Sequence, residues 1–261
     1  MTTSGLLGAV VSGALLVGLG GCGAVERRLG DACTVQVRGG ERELNREEAM
    51  SATTVAAAGS VRGASEAVVA TVLDRVLTGD ATVTDPETAS IAYASVPSDL
   101  RPSNDSLALA RSLLGTDGGV LTCRTSVSAT GVEQAGADGL TPRAGAMLGQ
   151  LRAAFGDLPT GGYSPGGVNS GHMDGSAHYD GRAIDVFFRP VDTESRRRGW
   201  VLAQWAVAHA AHLDLATVIF DDHIWSTRRS GSGWRDYRPG GDPDNAVLRH
   251  LDHVHLDVVH D

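Results

Sequence analysis

Apolar positions along this chain fall into several patterns, each predicting a different element. The run "LLGAVVSGALLVGL", Leu6 to Leu19, is uncharged and apolar throughout. It falls short of the ~20 residues a membrane-spanning helix needs, so the hydrophobic stretch of a secretory signal fits it better. Helical periodicity follows. "LNREEAMSATTVAAAG" places Asn45 as a cap, Glu47 and Glu48 in the first turn and Gly59 as a stop. "SEAVVATVLDRVLTG" repeats the scheme with Ser65 and Gly79, and Val68, Val72, Leu73 and Val76 share one face. "NDSLALARSLLG" predicts a further helix closing at Gly115, and two short β-like runs, "CTVQV" and "VLTC", accompany these helices.

The pattern changes at Thr125, where Gly, Ala, Ser and polar residues predict a linker to Leu140. Thr141 then caps a helix with Pro142 at its first position, running to a Gly stop. Further on, "RAIDVFF", "LATVIFDD" and "HVHLDVV" predict strands, with a long apolar helix from about Thr193 to His212 between the first two. The expected organisation is a signal segment over 1–21, a small, mostly helical domain over 22–124, a linker over 125–140 and an α+β domain over 141–261. That last domain is expected to carry a small antiparallel sheet with flanking helices.

Composition narrows the function. The chain has 261 residues, 42% of them hydrophobic, enough to fill a sizeable core. Its formal charge is −9, and every basic residue is an Arg. An acidic chain without a dense basic tract argues against nucleic acid as a partner. "LGGC", Leu19 to Cys22, resembles the bacterial lipobox, which implies diacylation of Cys22 and a lipid anchor on the extracytoplasmic face of the membrane, the alternative being an uncleaved or merely secreted leader. With Cys22 so assigned, Cys33 and Cys123 remain as a pair for one disulfide in an oxidising compartment, the alternative being two free thiols.

The chemistry concentrates in two stretches. In "SAHYDGRAID", His178 and Asp185 would lie about 23 Å apart on one strand at ~3.3 Å per residue, so the chain must fold back if they share a partner. Asp180 and Gly181 supply that turn. Beyond it, Ala183, Asp185 and Phe187 share a strand face. In "HLDHVHLDV", His253, His255 and Asp257 share a face, while Val254 and Leu256 point into the core. Buried imidazoles and carboxylates need partners, and a metal satisfies several at once. Two His nitrogens and a carboxylate oxygen make a typical catalytic zinc shell.

The spacing S-x-H-x-x-G-x-A-x-D, filled by Ser176, His178, Gly181, Ala183 and Asp185, together with the later H-x-H of His253 and His255, resembles the zinc peptidases. That group includes the D-alanyl-D-alanine carboxypeptidases, the lysostaphin-type endopeptidases and the hedgehog domain; "HIWS", "GWRDYR" and "HLDHVH" look like its secreted actinobacterial branch. The resemblance covers about Thr141 to Asp261. It implies zinc held by His178, Asp185 and His255, with His253 unligated and facing the reacting water. It also implies a general base among His253, His250 and Asp252, in that order of expectation, and peptidoglycan stem peptides as substrates. Ser176, Arg235 and Tyr237 are the expected substrate contacts. Arg228, Arg229 and Arg238, interleaved with Trp225 and Trp234, could join them or form a solvated loop over packed aromatics. His172 and Asp174 are expected as loop or supporting groups, His209 and His212 as packing residues, and "ESRRRG" as a polar helix face. The rival expectation is a non-catalytic module that binds peptidoglycan or a protein partner.

Overall fold

The computed structural model describes residues 32–115, 119–128 and 131–260. Leu6 to Leu19 and Cys22 lie outside the described residues. The chain is α+β. Strands β1 (Ala32–Val37) and β2 (Gly40–Asn45) form a hairpin, and β3 (Leu121–Cys123) pairs with the other edge of β1. Cys33 stands directly opposite Cys123 in that pairing, and a disulfide joins them. Four helices lie between β2 and β3: α1 (Arg46–Arg62), α2 (Glu66–Thr78), α3 (Pro86–Ala94) and α4 (Asn104–Leu114).

Asn45 caps α1 as expected. Its side chain accepts the Glu48 N–H at 2.9 Å, and the Glu48 carboxylate accepts the Asn45 N–H at 2.8 Å. The helix does not stop at Gly59 but continues to Gly63, which turns out of it at a φ of 63°. Gly59 is instead a contact point, because a Cβ there would come within 2.5 Å of the Tyr93 hydroxyl. On α2 the inward face is Val69, Val72 and Leu73, while Val68 is 40% exposed. Helix α3 was not expected. Its signal was Asp85 before Pro86, a capping residue followed by proline in the first turn.

The second half comprises α5 (Pro142–Phe155), β4 (Thr160–Gly161), β5 (Ala183–Phe187), α6 (Thr193–Ala208), β6 (Leu215–Phe220), β7 (His223–Ser226), β8 (Arg235–Asp236) and β9 (His253–Val258). Its strands form one antiparallel sheet in the order β4-β5-β9-β6-β7-β8. Ile184, Val186, Val218, Phe220, Leu256 and Val258 are buried on one face, against α5 and α6. Alternation gives the other face to Asp185, His253, His255, Asp257, Thr217 and Ile219.

Helix α6 ends at Ala208, with His209 as its C-cap, rather than at His212. It lies between the large sheet and the first half of the chain, packing on β6 and β9 on one side and on α1, α4 and β3 on the other. That position explains the apolar character of its second half on all sides, with Trp200, Leu202, Ala203, Ala206 and Val207 buried. Gln204 is the buried polar residue of that half. Its side chain accepts the Leu121 N–H at 3.2 Å and donates to the Leu113 carbonyl at 3.3 Å, so neither end is unpaired. The segment expected as a linker is tied to the second half. The Thr125 N–H donates to Ser230 Oγ and the Ser230 hydroxyl donates to the Thr125 carbonyl, both at 3.0 Å. Further on, the Glu133 carboxylate accepts the Arg143 N–H at 2.8 Å.

Candidate metal centre

The fold-back expected between His178 and Asp185 is present. The Arg182 N–H donates to the Ala177 carbonyl at 2.9 Å, and Gly181 closes the turn at a φ of 68°. Any Cβ at Gly181 would come within 2.5 Å of the Gly139 carbonyl oxygen. Ser176, expected against substrate, accepts the His178 N–H at 3.4 Å and so belongs to this turn. The turn returns His178 over β5, where Asp185 stands directly opposite His255 of β9.

Three atoms therefore converge. His178 Nε2 lies 3.0 Å from His255 Nδ1 and 3.2 Å from Asp185 Oδ1, and His255 Nδ1 lies 3.1 Å from the same oxygen. The three residues are 3%, 8% and 6% exposed, respectively for His178, His255 and Asp185. Each imidazole is held from behind. His178 Nδ1–H donates to the Gly162 carbonyl at 2.7 Å, which leaves Nε2 with its lone pair toward the cluster. His255 Nε2 lies 3.3 Å from Asp257 Oδ2. A carbonyl or carboxylate behind the outer ring nitrogen is the usual support of a metal-bound histidine.

The donor set fits zinc. Bonds of about 2.0–2.1 Å in a tetrahedral arrangement put ligand atoms about 3.3 Å apart, close to the separations here. Electrostatics point the same way. Burial works against charge on Asp185, but hydrogen bonds from His178 and His255 outweigh it and hold the carboxyl well below the usual range. Burial also works against charge on His255, yet Asp185 and Asp257 together raise its pKa to about 9. The pocket calls for positive charge at this point, which a proton or a cation supplies.

Around this cluster lie further histidines. The His172 ring stacks on His178 at 3.9 Å, and ligand atoms of His172, His178 and Asp185 all lie within 4.8 Å of one another. His172 is thus nearer the centre than its place in a loop suggested, and burial followed by the His178 charge lowers its pKa. His253 presents Nε2 at 3.7 Å from Asp185 Oδ1, while its Nδ1–H donates to Asp252 Oδ1 at 2.7 Å. The other Asp252 oxygen accepts from Arg189, at 2.6 Å from Nη2 and 2.8 Å from Nε. Burial raises the Asp252 pKa, but His253 and Arg189 prevail and lower it. Both Asp252 oxygens are therefore engaged, one by His253 and one by Arg189.

His250 takes a φ of 54° and lies 4.6 Å, ring to ring, from His253. Burial and the His253 charge push its pKa down to about 3, so the ring is neutral at pH 7. Tyr237 meets His250 edge-on at 5.1 Å, beside the cluster. Arg235 is on β8, three strands from β9, where its Nη2 donates to Ser226 Oγ at 3.1 Å. Trp225 is fully buried and the Trp234 Nε1–H donates to the Leu121 carbonyl at 2.8 Å, so both aromatics serve packing. Asp174 lies on the exposed loop after His172, and Glu194 of "ESRRRG" pairs with Arg197 at 2.6 Å.

Gly162 and Arg189 were not singled out in the sequence. Gly162 adopts a φ of 78° and a Cβ there would lie 2.2 Å from the His178 ring, so only glycine brings that carbonyl to Nδ1. The Gly-Gly pair at 161–162 was the available signal.

Residues 136–248 match the family model described as VldE, C-terminal domain. The matched span includes His172, His178 and Asp185 and ends before His250, His253 and His255. No curated protein and no solved structure matches the chain.

Proposed function

We propose that this protein is a zinc-dependent peptidase of the D-alanyl-D-alanine carboxypeptidase type. It hydrolyses peptide bonds in peptidoglycan stem peptides at the extracytoplasmic face of the membrane, to which acylated Cys22 anchors it. The observation that carries this reading is the triangle of His178 Nε2, His255 Nδ1 and Asp185 Oδ1, with edges of 3.0, 3.1 and 3.2 Å. Gly162 and Asp257 behind the two imidazoles support it. The disulfide between Cys33 and Cys123 supports an oxidising compartment.

Zinc held by these three residues supplies Lewis acidity toward a peptide carbonyl and acidifies the attacking water. The remaining work belongs to the chain. His253 is the general base, because its Nδ1–H is committed to Asp252 and its Nε2 lone pair faces the cluster. It takes a proton from the attacking water at Nε2 and returns it to the leaving amine as the C–N bond breaks. Asp252, kept ionised by Arg189, stabilises the imidazolium formed between those two transfers. His250 and Tyr237 form one wall and keep water from His253 on that side.

The test is metal content of the purified protein by elemental analysis, beside Asp185→Ala, followed by incubation with muropeptides. About one zinc per chain, lost in the variant, with release of amino acid or peptide by the wild type, is the expected result. A wild type without zinc at neutral pH overturns the metal assignment. Full zinc with no hydrolysis of any muropeptide replaces this reading with a non-catalytic binding module.

A further inference from the structure

A second concentration of chemistry lies on the same sheet, away from the metal-centre histidines, with only His260 of the histidines among its lining residues. A basin of about 660 Å³ is lined by Arg182, Arg228, Arg229, Arg235, Ser226 and Thr125, among others. No Asp or Glu lines it among the described residues, although the chain carries a formal charge of −9. Among the described residues, only Arg182 of the four arginines has a carboxylate partner, Asp180 at 3.0 Å. Arg228 and Arg229 are exposed. Arg235 donates through Nη2 to Ser226, while its Nε is buried and has no hydrogen-bond partner. Thr125 is 6% exposed, and its Oγ1 also has none. Buried polar atoms without partners are uncommon in folded proteins, and two of them border this basin. Burial and the Arg229 charge both push the Arg235 pKa down, as expected where cations crowd without an anion.

The sheet relates this basin to the histidine cluster. His255 pairs with Ile219, Ile219 with Ile224 and Ile224 with Arg235, so the four stand side by side on one face. At ~4.8 Å per strand, three steps separate His255 from Arg235 by about 14 Å. Thr217, Ile219, Ile224 and Ser226 between them are half-exposed. A peptide of four or so extended residues spans that distance.

We infer that the arginine basin is a subsite for the carboxylate groups of an acidic peptide that lies across the sheet with its scissile bond at His178, Asp185 and His255. The inference rests on the peptidase reading above. Guanidinium groups pair with carboxylates through two parallel N–H donors, and three such groups without acidic partners among the described residues give the basin room for more than one carboxylate. Inorganic phosphate shares that chemistry, but only a peptide uses the 14 Å track to the histidines, estimated above from strand spacing.

Calorimetric titration of the full-length protein purified in the presence of zinc tests this, using the stem tetrapeptide L-Ala-γ-D-Glu-diaminopimelyl-D-Ala, its carboxamide form and inorganic phosphate as probes. His253→Ala is the background, so that no probe is consumed. Binding of the acidic peptide about tenfold tighter than its carboxamide is expected, weakening with salt. Arg235→Gln and the exposed Arg229→Gln each reduce that preference to about twofold or less, with unchanged melting temperature and zinc content. Equal binding of the two peptides, or a preference that survives both substitutions, overturns the inference. So does phosphate binding that leaves peptide affinity untouched, since it assigns the basin to a free anion. Zinc content is read separately in the same samples, so a protein that prefers the acidic peptide but holds no zinc sinks the peptidase reading without touching the basin.

Discussion

The Nδ1–H of His253 donates to Oδ1 of Asp252 at 2.7 Å, and Arg189 holds the other oxygen of that carboxylate. This fixes the tautomer of His253 and leaves Nε2 as the proton acceptor. Asp252→Asn keeps the shape but removes the charge that, in the proposed mechanism, stabilises the imidazolium. Turnover of a stem peptide is expected to fall by about 10²-fold or more with zinc content unchanged. Steady-state kinetics beside elemental analysis checks this, and a variant with wild-type turnover would remove His253 from the base role.

Gly162 carries the carbonyl behind His178 in a conformation closed to other residues. Gly162→Ala is expected to displace the His178 ring and weaken zinc binding by about 10- to 100-fold, the range found when the support of a metal ligand is lost. Competition with a chelator of known affinity measures it; equal affinities would show that the carbonyl does not orient the ring.

The disulfide between Cys33 and Cys123 closes a sequence separation of 90 residues. Its removal by paired Ala substitutions is expected to cost about 4 kcal/mol and to lower the melting temperature by on the order of 10 °C. Thermal unfolding under oxidising conditions reads this directly. A shift below a few degrees would mean that β1 and β3 are held by packing alone.

His209 gives a pH dependence apart from the metal centre. Its Nδ1–H donates to the Trp205 carbonyl at 2.8 Å and its ring stacks on Trp205, with burial pushing its pKa down to about 4. The unfolded chain protonates this ring near pH 6.5, the folded chain only near 4. Stability from this group is therefore complete above pH 6.5 and declines as the pH falls toward 4, by about 3 kcal/mol in all. Urea unfolding at pH 7 and pH 4.5 is expected to show a shallower loss for His209→Gln than for the wild type; parallel losses would exclude His209 as the source.

Much of the site was legible because its key residues are close in sequence or repeat with the strand period. His178 and Asp185 flank one turn, and His253, His255 and Asp257 alternate along one strand. What could not be read depends on tertiary neighbours. The Gly162 carbonyl is a backbone group and leaves no side-chain signature. Arg189 acts through Asp252, 63 residues away. Gly59 carries the residue type of a helix stop, but the Tyr93 hydroxyl that requires its lack of a Cβ belongs to another helix. The same limit applies to α6. Its apolar run showed that it is buried but not that two layers would bury it.

That double burial bears on how the chain can be divided. A fragment beginning at Thr141 retains the histidines and the six strands but lays bare the side of α6 that faces α1, α4 and β3. Gln204 loses both partners at once, the Leu121 N–H and the Leu113 carbonyl. The N-terminal half is thus the missing wall of the C-terminal half's own interior, and the boundary visible in the sequence is not a seam along which the protein can be cut.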